Sequence, residues 1–239
     1  LTAPQPHTKK QLARAGRLLR DLTRERHDSS DQELWDAITL VDWWRAQHAK
    51  PLSRVNANLR YYVRKVGADP SISQRLKRFT TIVDKLRREP TMKLNTMEDI
   101  GGVRVILPTQ RQVDDVVRDL RSQPRWKIRR VREYVTGRDP GPKSDGYRAV
   151  HVIVEKDGCY IEVQLRTPWQ DAWAQSVEQD TRRLKAGLKF GSGPEDLRDY
   201  YRVVAEWMEL RADDREAPQE LLAELTKRFH ATRSYYPQT

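Results

Sequence analysis

His151, Glu162, Gln164 and Arg166 fall at alternating positions of the segment KSDGYRAVHVIVEKDGCYIEVQLRT, residues 143–167, among Val, Ile and Leu. A carboxylate set between an imidazole and an amide suits holding a cation or taking a proton. A second carboxylate, Asp99, stands at the entrance of the β-rich run at 103–107, where Arg104 separates Val103 from Val105. Two carboxylates on neighbouring strands make a plausible two-ligand Mg²⁺ site, with water and phosphate oxygens completing the shell. In QRLKRFTTIVDKL, Arg75, Arg78 and Lys85 lie near one face of an expected helix with Lys77 beside them, a clamp suited to a polyphosphate. Tyr147, after Gly146 and a Gly/Pro-rich loop, suits stacking on a base. Each feature also has a plainer explanation: a wet sheet face, a turn aspartate, a solvated basic helix, a half-buried tyrosine.

The polar set needs a hairpin to position it. Asp157-Gly158 between two alternating runs predicts a two-residue type I′ turn. That turn places His151 opposite Gln164 and Ile153 opposite Glu162. It leaves Val150, Val152 and Val154 facing Leu165, Val163 and Ile161 on the other side. Elsewhere the apolar spacing predicts helices over 9–26, 31–49 (ended by Pro51), 53–65 and 73–88. Thr109-x-x-Gln112 has the form of a capping box for a helix with Val113, Val116, Val117 and Leu120 as its stripe. A strand over 126–135 and helices over 168–189, 194–212 and 218–230 complete the layout. The order is helices, a mixed α/β core, then helices. It divides as a helical extension over 1–70, a core over 71–190 and a second helical extension over 191–239.

The chain of 239 residues carries a formal charge of +11, which favours polyanionic partners: nucleic acid, nucleotides or anionic lipid. Residues 121–148 hold nine Lys/Arg against three acids, and residues 75–93 seven against two, so the surplus flanks the motifs. The single Cys159 excludes an internal disulfide and a cysteine-based zinc cluster. No apolar run approaches the roughly 20 residues of a membrane span. The first residues lack the apolar stretch of a secretory signal, so a cytoplasmic location is expected. His27-Asp28 stands alone and reads as a helix end.

RLKR…TI..KL, MEDIGGVRVI, KSDGYRAVH and IEVQLRT followed by WQDAWAQSVE together resemble the synthetase domain of the RelA/SpoT family over about residues 73–180. The resemblance implies a mixed sheet packed with helices and related to nucleotidyltransferases. It implies Mg²⁺-dependent transfer of the β,γ-pyrophosphate of ATP to a ribose 3′-hydroxyl. By position, Arg75, Lys77 and Lys85 correspond to ATP phosphate ligands, assisted by Arg104. Asp99 and Glu162 correspond to the metal carboxylates, with Glu162 also helping to deprotonate the hydroxyl. Tyr147 corresponds to the aromatic that stacks on the acceptor base, and Lys143, His151 and Gln164 to residues holding acceptor or phosphate groups. One departure is Asp145, where the family often has Asn. The chain resembles a small, synthesis-only member; such members are often oligomers. The run RLKRFTTIVDKLRREPTMKLNTMEDIGG is closer to the toxic subgroup, which implies the 3′ end of tRNA as acceptor and a neutralising antitoxin. The alternatives are an alarmone synthetase acting on GDP or GTP, modification of a free adenine nucleotide, and a non-catalytic nucleic-acid-binding module.

Overall fold

The computed structural model describes residues 7–21, 30–69, 71–185, 187–188, 192–212 and 215–236. Five strands form the central sheet: β1 Ser71–Leu76, β2 Gly101–Ile106, β3 Lys127–Tyr134, β4 Ala149–Lys156 and β5 Cys159–Arg166. Their order is β1-β2-β5-β4-β3, and only the β2–β5 pair is parallel. The fold is therefore a mixed α/β sheet flanked by N- and C-terminal helices, as the sequence predicts.

The hairpin β4–β5 has the expected register: His151 pairs with Gln164, Ile153 with Glu162 and Val152 with Val163. Asp157 and Gly158 both have positive φ, 51° and 77°, which a type I′ turn demands of its two central residues. Turn geometry fixes the register, and register fixes which side chains share a face.

The apolar face is covered by two helices, α3 (Ala49–Lys65) and α5 (Gln110–Ser122). Leu52, Val55, Leu59 and Val63 of α3 and Val113, Val116 and Leu120 of α5 close over the valines of β2, β4 and β5. Thr109 caps α5 through the predicted reciprocal bonds with Gln112. A second cluster joins α1 (Lys9–Asp21), α2 (Asp31–Gln47) and α4 (Phe79–Arg88) around Leu19, Val41, Ile82 and Leu86. A third joins α6 (Pro168–Arg183) and α7 (Glu195–Ala212), with α8 (Gln219–Thr232) packed on α7.

Three expectations are corrected. Residues 73–88 are not one helix: β1 pairs antiparallel with β2 from Ser71 to Leu76, and α4 begins only at Phe79. Ile72 and Leu76 are four apart, a spacing that fits one helical face and one strand face alike; the backbone partners offered by β2 decide it. Second, the break between α2 and α3 falls at His48, and Pro51 lies in the first turn of α3, where its missing N–H removes no helical bond. Third, α6 ends at Arg183 rather than near 189. The continuation of α1 over 22–26 and the break at His27-Asp28-Ser29 lie outside the described residues, whereas Ser30 caps α2 by accepting from Glu33 N–H.

Candidate active site

The sheet face left free of α3 and α5 is the floor of a cleft of about 620 Å³. Register across the strands sets the floor in rows. Ser73, Arg104, Gln164, His151 and Arg132 form one, and Arg75, Gly102, Glu162, Ile153 and Arg130 the next. Residues in register across a pleated sheet share a face, so Arg104 meets the cleft while Val103 and Val105 on either side are buried. Gly102 is the partner of Glu162. A Cβ there would meet nothing nearer than the Arg75 carbonyl oxygen at 3.9 Å, so glycine keeps the space beside the carboxylate open.

One half of the cleft is held by charge. Lys77, on the link between β1 and α4, and Lys85, two turns into α4, both reach Asp99 Oδ2, at 2.9 and 3.0 Å. Asp99 Oδ1 is buried and has no hydrogen-bond partner. Burial pushes the Asp99 carboxyl up, and the two ammonium groups outweigh it and hold it below the ordinary aspartate value. Arg75 projects from β1, two-thirds exposed, and reaches Glu178 of α6 at 4.0 Å.

The other half is a closed ring of hydrogen bonds. His151 Nε2 lies 2.6 Å from the Tyr147 hydroxyl and His151 Nδ1 2.9 Å from Glu162 Oε1. Gln164 Nε2 donates to Glu162 Oε2 at 2.7 Å. Arg166 Nη2 donates both to Gln164 Oε1, at 3.2 Å, and to the Tyr147 hydroxyl, at 2.9 Å, which closes the circuit. Asp171, buried on α6, anchors Arg166 at 2.9 Å and also takes Arg104 at 3.4 Å. Burial pushes Glu162 up, but the charge and hydrogen bond of His151, the Gln164 amide and Lys85 hold it at about 2. Burial also pushes the Tyr147 hydroxyl up, to about 12, against the pull of Arg166. The Lys143 ammonium lies 5.0 and 4.9 Å from the ring centres of Tyr134 and Tyr147, within cation–π range.

The predicted residues therefore gather around one cleft, with differences of arrangement. Arg78, expected on the clamp, is not among its lining residues; it precedes α4 in extended conformation. His151 and Gln164 are engaged with Glu162 rather than free for a ligand. Asp145 accepts the Tyr147 N–H at 2.9 Å, so its carboxylate shapes the turn before Tyr147. The structure adds Arg132 and Tyr134, which line the cleft from β3, and Asp171 to the residues expected from the sequence. The first two were marked by period-2 spacing, and Asp171 by a carboxylate on the buried face of a helix, where a cationic partner is required.

No group of three or more metal-binding side chains occurs among the described residues. A Mg²⁺ ion carried in on phosphate needs only one or two carboxylates. Asp99 fits that role, since Oδ1 is buried without a partner, and Glu162 stands close enough for its charge to act on Asp99.

Residues 74–185 match the family model described as the region found in RelA / SpoT proteins. The uncharacterized protein Rv1366 of Mycobacterium tuberculosis is 32% identical over 130 residues, 53% of this chain and 45% of that protein. GTP pyrophosphokinase YwaC of Bacillus subtilis is 30% identical over 146 residues, 55% of this chain and 65% of that protein. The chain thus spans under half of the mycobacterial relative and about two-thirds of YwaC. Among solved structures, small alarmone synthetase 2 of Bacillus subtilis superposes with a TM-score of 0.57 at 25% identity, covering 69% of this chain and 90% of that one. Small alarmone synthetase 1 of the same organism gives 0.58 at 19% identity, covering 78% and 99%, a likeness of fold.

The relatives that carry a functional name overturn the expectation of a toxin acting on the 3′ end of tRNA: YwaC is named a GTP pyrophosphokinase, and the two solved structures are small alarmone synthetases. The geometry supplies the reason the residues misled. The run that favoured the toxic subgroup builds β1, α4 and the approach to β2, the lysine half of the cleft, and leaves the half of Lys143 and Tyr147 untouched. Much of the basic stretch 121–148 is paired with carboxylates at the surface. Glu98 takes Arg129, Arg130 and Arg132, Glu155 takes Lys127, and Asp114 and Glu133 take Arg138. The antitoxin partner rested on the toxin reading and loses its basis with it.

Proposed function

We propose that this chain, which carries a RelA/SpoT-type domain in residues 74–185, transfers the β,γ-pyrophosphate of ATP to the ribose 3′-hydroxyl of GDP or GTP. The observation that carries this reading is the division of one cleft into a cationic half and an aromatic, hydrogen-bonded half, with Glu162 between them. The names of YwaC and of the small alarmone synthetases support a guanine nucleotide as the acceptor.

In this mechanism Arg75, Lys77, Lys85 and Arg104 take the ATP phosphates. The incoming phosphates compete with Asp99 for the two lysines and free its carboxylate. Bound Mg²⁺, held by Asp99 and Glu162, would neutralise phosphate charge. The acceptor base stacks on Tyr147, in the place over the ring where the Lys143 ammonium now lies. Glu162 accepts the hydrogen bond of the 3′-hydroxyl. A carboxylate held at about 2 is a weak proton acceptor, which matches a loose transition state that needs little early deprotonation. The ring of His151, Gln164 and Arg166 acts mainly by fixing Glu162 and Tyr147; positioning, together with charge stabilisation, is the source of rate in phosphoryl transfer.

The test is incubation with γ-labelled ATP and, separately, GDP, GTP and deacylated tRNA. Label moving to GDP or GTP with release of AMP is expected. Label moving to no acceptor would overturn the reading and favour a nucleotide-binding module without catalysis.

A further inference from the structure

Behind the segment that carries Tyr147 lies a second cavity, of about 290 Å³. Gly146 and Arg148 line it, whereas Asp145 and Tyr147 line the cleft, so the chain alternates residue by residue between the two spaces. Trp173 borders both. Trp169, Met208 and Ala205 extend the apolar wall. Helices α5 and α6 both begin here, with Thr109 and Thr167 at their caps, so two positive helix ends meet at the cavity.

Arg148 is the polar centre of this space and only 9% exposed. Its Nη1 donates to the Gly146 carbonyl at 2.9 Å and its Nη2 to Glu209 Oε2 at 3.1 Å. Its Nε is buried without a partner. The Glu209 carboxylate is already engaged, accepting from Arg148 and from the Thr136 hydroxyl at 3.0 Å. Arg148 Nε is thus a buried donor without an acceptor, and Trp169, 39% exposed, and the more buried Trp173 stand in the wall of the same cavity.

We propose that this cavity binds a flat aromatic ring carrying a carboxylate, with the ring against Trp169 and Trp173 and a carboxylate oxygen accepting from Arg148, and that occupancy alters acceptor binding in the cleft. The link between the two spaces is steric. Gly146 has φ of +95°, and a Cβ there would come within 2.9 Å of Ala205 Cβ and 3.3 Å of Trp173. Backbone packed this closely has no slack, so a shift of Arg148 or Trp173 moves the residue before Tyr147. The coupling rests on the acceptor reading of Tyr147, and the site itself does not.

The probe is 2-naphthoate, titrated calorimetrically into the full chain. One equivalent per chain is expected, at least about tenfold weaker in Arg148→Met. Binding should vanish in Ala212→Trp, which plugs the exposed mouth and should leave thermal unfolding unchanged. A saturating non-hydrolysable ATP analogue should leave the affinity as it was. No binding, binding that survives both substitutions, or displacement by the analogue would each overturn the site. GDP affinity with and without 2-naphthoate should differ by about threefold or more, and equal values would overturn the coupling. GDP that binds in neither condition would overturn the acceptor reading and the coupling with it, while the naphthoate titration still decides the cavity.

Discussion

The two halves of the cleft are held together by different physics. Around Asp99 two flexible ammonium groups crowd one carboxylate oxygen and leave the other bare. Around Glu162 the hydrogen bonds have direction and close into a circuit, with a buried arginine–aspartate pair behind it. The first arrangement leans on two cations sharing one oxygen, and the second on several directional bonds that support one another. A pyrophosphate donor brings charge and must displace something, whereas an acceptor hydroxyl must be met by a group already in place.

Substitutions should break this contrast in graded ways. The largest effect belongs to Glu162→Gln, where the halves meet. Transfer from labelled ATP should fall by about 10²–10⁴-fold in a chain that still unfolds in one cooperative transition, though at a lower temperature than wild type. Near-normal turnover would remove Glu162 from the mechanism. Next comes the anchor of the hydrogen-bonded half. Arg166 and Asp171 are 5% and 2% exposed, and Asp171→Ala leaves a buried guanidinium without its partner. Urea unfolding should show a loss of about 3–5 kcal/mol. The corresponding cut in the charged half, Lys77→Gln, leaves Lys85 on Asp99 and should cost less, about 1.5–3 kcal/mol by the same measurement. Equal losses would erase the distinction.

A smaller effect is set by pH. Glu162 is held at about 2 in the folded chain against 4.5 as its ordinary value. Its contribution to stability is therefore complete above 4.5 and is lost as pH falls towards 2. Glu162→Gln should flatten the decline of stability across that window, measured by urea unfolding at stepped pH. Superimposable profiles would mean that the carboxylate is not held in this way.

The hairpin was legible because a two-residue turn leaves no freedom of register, so Asp157-Gly158 alone placed His151, Glu162 and Gln164 on one face. The capping box at Thr109 was legible for the same reason, being local. Ile72 and Leu76 were ambiguous because their spacing serves helix and strand equally, and only the partner strand Gly101–Ile106 resolves it. The closed ring was out of reach: it joins Tyr147 to Arg166, 19 residues apart, across a contact that no periodicity encodes. The sequence had His151 and Gln164 turned towards a ligand, whereas they spend their hydrogen bonds on Glu162. Under the proposed mechanism, that difference moves them from contacting the acceptor to positioning Glu162.

The division of labour is tested most directly by calorimetric binding of a non-hydrolysable ATP analogue and of GDP to the wild type, Lys85→Gln and Tyr147→Ala. Lys85→Gln should weaken the ATP analogue by about tenfold and leave GDP unchanged, and Tyr147→Ala should do the reverse. Either substitution weakening both ligands alike, or the pattern inverted, would contradict the account of a cleft with a charged donor half and a prearranged acceptor half.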